Sequence, residues 1–178
     1  MPMTQLGNET TTVYANSTDF VMERVFDAPR EMVWNALTDP DAIPRWWGPR
    51  DTTMTVAEMD VRVGGKWKWI SHSSDGDAPF KGEYLEVEPL ERLVHTEIFD
   101  IEPFNADGQA AIVTLLLEAM DGRTRLTSRS GSPRRRRSRV RWPPAWSAAR
   151  SSRGTASRGS FAADLDLREA DRIGGASG

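Results

Sequence analysis

Trp67 and Trp69 stand two residues apart in a segment that reads as a β-strand, so both indoles project from one side and Lys66 and Lys68 from the other. Such a pair can line a cavity for an apolar ligand, or it can be an ordinary aromatic core. Trp46 and Trp47 precede Gly48-Pro49, where a short helix should turn into the next strand. Adjacent indoles on a short helix cannot both face one core. One is therefore expected to pack inward, and the other to roof a cavity mouth or to serve packing alone. Tyr84 and His95 have the strand parity to send polar tips into an apolar cavity, where one or two such groups orient a ligand. A core tyrosine and a surface histidine are the ordinary alternatives. The candidate ligand-binding residues are thus Trp46, Trp47, Trp67, Trp69, Tyr84 and His95.

Other chemistries find less support. His72 and His95 are the only histidines and there is no cysteine, which removes thiolate chemistry and leaves no recognisable spacing of metal ligands. No catalytic residue, metal or cofactor is expected. A nucleophilic site would need a Ser–His pairing that sequence alone does not place. Glu58, Asp60, Glu83, Glu86 and Glu97 read as strand-borne acids on a solvated face. Gly64-Gly65 is a hairpin with no helix after it, so it cradles no phosphate. The tract Ser132–Trp142, with Arg134 to Arg137, Arg139 and Arg141, reads literally as an arm for a polyanion. It carries less weight because it falls where a structural element is missing, and no specific nucleic-acid partner is expected.

Positioning these residues requires a folded frame, which only part of the 178-residue chain supplies. Met1–Gly122 holds 9 Lys and Arg against 22 Asp and Glu, whereas Arg123–Gly178 holds 14 Arg, no Lys and 4 acids. Arg, Ser, Gly, Ala and Pro dominate after about Ser128, without the apolar period of a helix or strand. The reading is therefore a loose lead-in over 1–18, one domain over 19–130, and a tail over 131–178 that is disordered or out of frame. Asp19–Phe26 reads as a strand. Pro29 opens a helix whose stripe is Val33, Trp34 and Leu37, and Pro40 stops it. A second short helix is expected over Asp41–Trp47. The period then shortens to two, giving strands near Thr53–Val61, Lys66–Ser71, Phe80–Val87, Leu93–Phe99, Ala111–Met120 and Thr124–Arg129. Such a sheet has an apolar face that needs a cover. Without one, Trp67, Trp69 and Leu115 would form an open patch that favours aggregation or a partly molten state.

Phe26-Asp27-Ala28-Pro29-Arg30-Glu31, Val33-Trp34, Ala36-Leu37-Thr38-Asp39-Pro40, Trp46-Trp47-Gly48-Pro49, the run Asp60 to Trp67, and Gly82 to Pro89 together resemble the START-like SRPBCC superfamily. Within it they are similar to the bacterial branch named after the activator of the heat-shock-90 chaperone ATPase. The resemblance covers about Asp19 to Ser130. It implies an α+β helix-grip fold: a curved antiparallel sheet around a long C-terminal helix, with a ligand cavity between them. It also implies a small hydrophobic molecule as ligand, with a chaperone-binding role or a cyclase or hydrolase activity in the same cavity as alternatives.

The chain departs from that family where the long helix belongs. Loss or gain of a base near Thr127–Ser130, in the gene or its sequencing, would explain the departure. In the shifted frame the codons of Trp142–Trp146 permit Leu-Ala-Thr-Gly-Met, which resembles the family's last helix; resequencing that stretch tests the idea. No apolar run is long enough to span a bilayer, and Met1–Thr18 is polar. A cytoplasmic protein with no membrane partner is expected, its oligomeric state open.

Overall fold

The computed structural model describes residues 4–7, 11–15, 19–48, 52–106 and 110–131. Its strands are β1 (Thr4–Gly7), β2 (Thr11–Ala15), β3 (Asp19–Phe26), β4 (Thr53–Met59), β5 (Lys66–Ser73), β6 (Gly76–Glu88), β7 (Arg92–Phe99), β8 (Ala111–Met120) and β9 (Arg123–Gly131). All nine join one sheet in the order β1-β2-β3-β9-β8-β7-β6-β5-β4, every neighbour antiparallel. After β3 the chain crosses to the far edge, lays down β4, and returns strand by strand until β9 pairs with β3. The crossing segment is thereby carried over one face of the sheet, and the site is built under it.

That segment holds the helix α1 (Arg30–Thr38). Pro29 precedes it, Glu31 places an acid near its positive end, and Val33, Ala36 and Leu37 form its buried stripe. A buried bond from Thr124 Oγ1 to the Ala28 carbonyl, 2.7 Å, ties the helix start to β9. The expected helix over Asp41–Trp47 is instead a single 3-10 turn, Ile43–Arg45. Pro44 has no N–H to donate to the Pro40 carbonyl, so an α-helical ladder cannot pass through it.

The strand boundaries follow the period-two pattern closely, and two register shifts bend the sheet. One lies between Val56 and Glu58 in β4, the other between Tyr84 and Glu86 in β6. Each adds an unpaired residue on one side, which curves the strand. Inner-face side chains form one continuous core that includes Met22, Val33, Ile43, Trp47, Trp67, Phe80, Leu115 and Leu126.

Three expectations change. Thr4–Gly7 and Thr11–Ala15 are strands where a loose lead-in was expected, with Val13 opposite both Leu6 and Met22. The open patch is not found either. Trp67, Trp69 and Leu115 are 1%, 6% and 6% exposed, and Trp47 lies edge-on against Trp69 with ring centres 5.5 Å apart. Third, the anticipated second helix is the 3-10 turn already noted. The tail over 132–178, with the arginine tract, the expected C-terminal helix and its frameshift account, lies outside the described residues.

Candidate functional site

Strands β5 to β8 send alternate side chains to the inner face, and there they surround a small hollow. Trp67 and Trp69 come from β5, Tyr84 from β6, Leu93, His95 and Glu97 from β7, and Val113 and Leu115 from β8. Leu37 of α1 closes it from above with Trp46 and Trp47. All six candidate ligand-binding residues therefore meet at one place. The free volume is about 30 Å³, room for about two water molecules.

Local geometry explains how so many rings share the space. Trp67 faces Gly82 across the β5–β6 pair. A side chain at Gly82 would collide with the Thr96 carbonyl and come within 2.6 Å of Trp67 Nε1, so only glycine lets this indole lie flat on the sheet. Trp69 tilts against Trp67 at 4.3 Å, and His95 meets Trp67 edge-on at 5.4 Å. Trp47 inserts edge-first against Trp69 and Phe80. Trp46 donates its Nε1–H to the Ala36 carbonyl at 2.7 Å, which pins it beside α1. Both adjacent indoles thus reach the hollow, because the 3-10 turn leaves Trp46 with a non-helical backbone that redirects Trp47.

The polar groups are placed for an uncharged interior. His95 is 6% exposed. Its ring stays neutral: burial pushes its pKa down to about 4, against a smaller opposing effect of the bond to the Thr96 carbonyl. Nδ1 sits 3.2 Å from that carbonyl and therefore carries the proton, leaving Nε2 as an acceptor. The Tyr84 hydroxyl is pushed well above its usual range by burial and by the charge of Asp60. It remains protonated. Among the described residues three buried groups of the inner face lack hydrogen-bond partners, Trp67 Nε1, Trp69 Nε1 and Ser71 Oγ, whereas the buried Arg92 Nε has Glu86 Oε2 at 2.8 Å. The first two belong to hollow-lining rings, and Ser71 lies on the same face of β5 near Gly48.

Glu97 corrects the sequence reading, which set it on the solvated face. It lines the hollow as a half-buried side chain, and desolvation there raises its carboxyl to about 7. Its parity carried the signal, since a residue two positions from His95 on the same strand faces the same side. Leu37, Leu93, Val113 and Leu115 complete the lining as core residues with no chemistry of their own. Among the described residues no three His, Asp or Glu side chains gather as metal ligands, and no helix is long and apolar enough to cross a membrane.

A second polar arrangement sits on the outer face. His72 Nδ1 is 2.7 Å from Asp77 Oδ1, and its Nε2 is 2.9 Å from Thr55 Oγ1. The order hydroxyl, imidazole, carboxylate is that of a nucleophilic relay. It is a surface ladder across β4, β5 and β6, with 37% of the His72 side chain and 65% of the Asp77 side chain exposed, so solvent screens it.

Comparison with known proteins fits this arrangement. A family model described as Activator of Hsp90 ATPase homolog 1-like protein matches residues 27–149. The matched span runs past Ser130, where the resemblance was expected to end. A crystal structure of a Chromobacterium violaceum protein is 28% identical, covering 75% of this chain and 92% of its own, with a TM-score of 0.63. An Arthrobacter aurescens protein solved in solution is 27% identical over 68% of this chain and 73% of its own, TM-score 0.62. A Rhodobacter sphaeroides protein is also 27% identical, over 68% and 77%, TM-score 0.59. No curated protein matches the chain.

Proposed function

The chain belongs to the Activator of Hsp90 ATPase homolog 1-like family, and from that premise we propose that it is a binding domain for a small, largely apolar ligand held in the hollow of the inner face. The observation that carries this reading is the pair of unpartnered indole N–H groups on Trp67 and Trp69. Buried donors are nearly always paired, and an unpaired one costs about 1–3 kcal/mol. Both rings line the hollow, but Trp67 Nε1 lies against Gly82 and both N–H groups are closed to solvent, so a ligand's acceptor reaches them once the rings turn. The apolar walls then provide affinity at about 25 cal/mol per Å² buried, less the ordering terms.

A hollow of about 30 Å³ holds only part of such a ligand. Trp47 occupies the remaining room, and it sits on the short segment between the 3-10 turn and Gly48 rather than in the sheet. Ligand entry therefore displaces the Trp47 ring and leaves the β5–β7 wall in place.

The test is titration with Nile red, a neutral apolar dye with a carbonyl acceptor. Saturable one-to-one binding that weakens severalfold in Trp69→Phe, which keeps a ring and removes the N–H, is the expected result. Non-saturable partitioning, or binding untouched by both Trp69→Phe and Trp67→Phe, would defeat the reading. His95 and Glu97 in one hollow also favour a second reading, acid–base catalysis on the bound molecule. Its signature is turnover of a hydrolysable ester that is lost in His95→Ala while the melting transition persists.

A further inference from the structure

We propose that the hollow selects its ligand by a protonated amine, seated among the tryptophan rings and against the Glu97 carboxylate. This rests on the ligand-binding reading above and names the chemistry that the same site prefers.

Charge sets the preference. Among the described residues no lysine or arginine lines the hollow, and Glu97 is the one carboxylate that does. From the neighbouring elements, His95 on β7 is neutral and Tyr84 on β6 is protonated, while the residues facing it from β5, β8 and α1 are indoles and aliphatics. Among the described residues the Glu97 side chain has no hydrogen bond or ion pair, and burial is the sole cause of its raised pKa. An acid in that position gains from any cation that arrives. Unlike a paired surface acid, it has no competing partner among the described residues to release.

The surrounding groups favour the same ligand. Aromatic faces carry negative charge density and attract ammonium groups, more strongly where water is excluded. Trp46, Trp47, Trp67 and Trp69 supply four such rings. His95, with Nδ1 committed to Thr96, turns an acceptor nitrogen to the remaining space. The free volume of about 30 Å³ suits a compact ammonium head better than a bulky polar group.

The indole N–H groups are the counterweight, since taken alone they would welcome an anion. An anion would share the hollow with Glu97 and find no cation among the described lining residues to offset either charge, a penalty far above that of a hydrogen bond left unmade. A neutral acceptor on the amine's own skeleton, or one retained water, satisfies the indoles without that penalty.

The experiment uses the intact chain and three probes of equal size: benzylamine, benzyl alcohol and benzoate, titrated calorimetrically at about pH 8 and about pH 6. Benzylamine should bind about tenfold more tightly than benzyl alcohol at the higher pH, and benzoate least. The preference should shrink at the lower pH, where Glu97 takes up its proton. Glu97→Gln, which keeps shape and removes charge, should bring the amine down to the alcohol's level. If the alcohol matches the amine at both pH values, or the preference survives Glu97→Gln, the amine proposal fails while the apolar site stands. If none of the three binds while Nile red still binds saturably, the amine proposal fails and the apolar site stands; if Nile red also fails to bind, both fall.

Discussion

Glu97 and Asp100 lie three residues apart at the end of β7 and hold their protons in opposite ways. Asp100 accepts from Lys81 at 2.7 Å, from Lys68 at 3.3 Å and from Asn105 at 3.5 Å. The bond from Lys81, chief among these, holds its carboxyl below the usual range. Glu97 has no such partner among the described residues, and desolvation raises it to about 7. The outer face of β5 and β6 gathers lysines around its acid, whereas the inner face of the same strands surrounds its acid with indoles. An unpaired acid so close to a well-paired one marks a place where an outside partner completes the structure.

The sharpest way to test the contrast is to remove one residue from each side of β5. Trp67→Ala takes away a ring that is 1% exposed and wedged between Gly82, Trp69 and His95. A loss of about 3–5 kcal/mol in chemical denaturation is expected. Lys68→Ala on the opposite side should change stability by less than about 1 kcal/mol. Comparable losses from the two would mean that the faces are not differently built.

Next in size is the pH profile of stability. Glu97 is raised from an ordinary 4.5 to about 7, so the folded state holds its proton more tightly than the unfolded chain. Its contribution is complete below about 4.5 and is lost as pH rises through about 7. His95 is lowered from 6.5 to about 4, and its contribution is complete above 6.5 and lost as pH falls through about 4. Between those limits the two slopes oppose each other, and the wild-type curve should be flat. Glu97→Gln should add on the order of 2 kcal/mol at about pH 8 and leave a curve that falls only towards acid. His95→Gln should leave the opposite slope, falling only towards alkali. Melting curves from about pH 4 to pH 8 decide it, and two variants with the wild-type profile would remove the inner face's special status.

Much of this was legible in the sequence, and the failures have physical causes. Period-two alternation from Thr53 onward gives β4 to β9 with most ends within two residues, β6 starting four residues earlier than expected, because one buried face imposes a strict pattern. Four of the six cavity candidates, Trp67, Trp69, Tyr84 and His95, follow from the same parity, and Trp46 and Trp47 follow from their place before Gly48-Pro49. Glu97 was missed when the general habit of acids on surfaces was set above the parity it shares with His95. Strands β1 and β2 were missed because Thr and Asn give weak alternation, and the register with β3 that fixes them is a long-range property. The 3-10 turn was overcalled as a helix although Pro44 forbids the ladder.

The smallest expected effect belongs to the outer acid itself. Asp100→Asn removes a negative charge from between Lys81 and Lys68, whose side chains are 48% and 40% exposed. Water and salt already screen those ammonium groups, and once freed they can solvate. The loss should be no more than about 1 kcal/mol and should shrink further in high salt. It should appear only above the depressed pKa of Asp100, fading as acid protonates the wild-type carboxyl. Amine binding should not respond, because the lysine cluster lies across the sheet from the hollow. A change in benzylamine affinity in Asp100→Asn as large as that in Glu97→Gln would show the two faces to be electrically coupled, and the separate roles assigned to these two acids would then have to be abandoned.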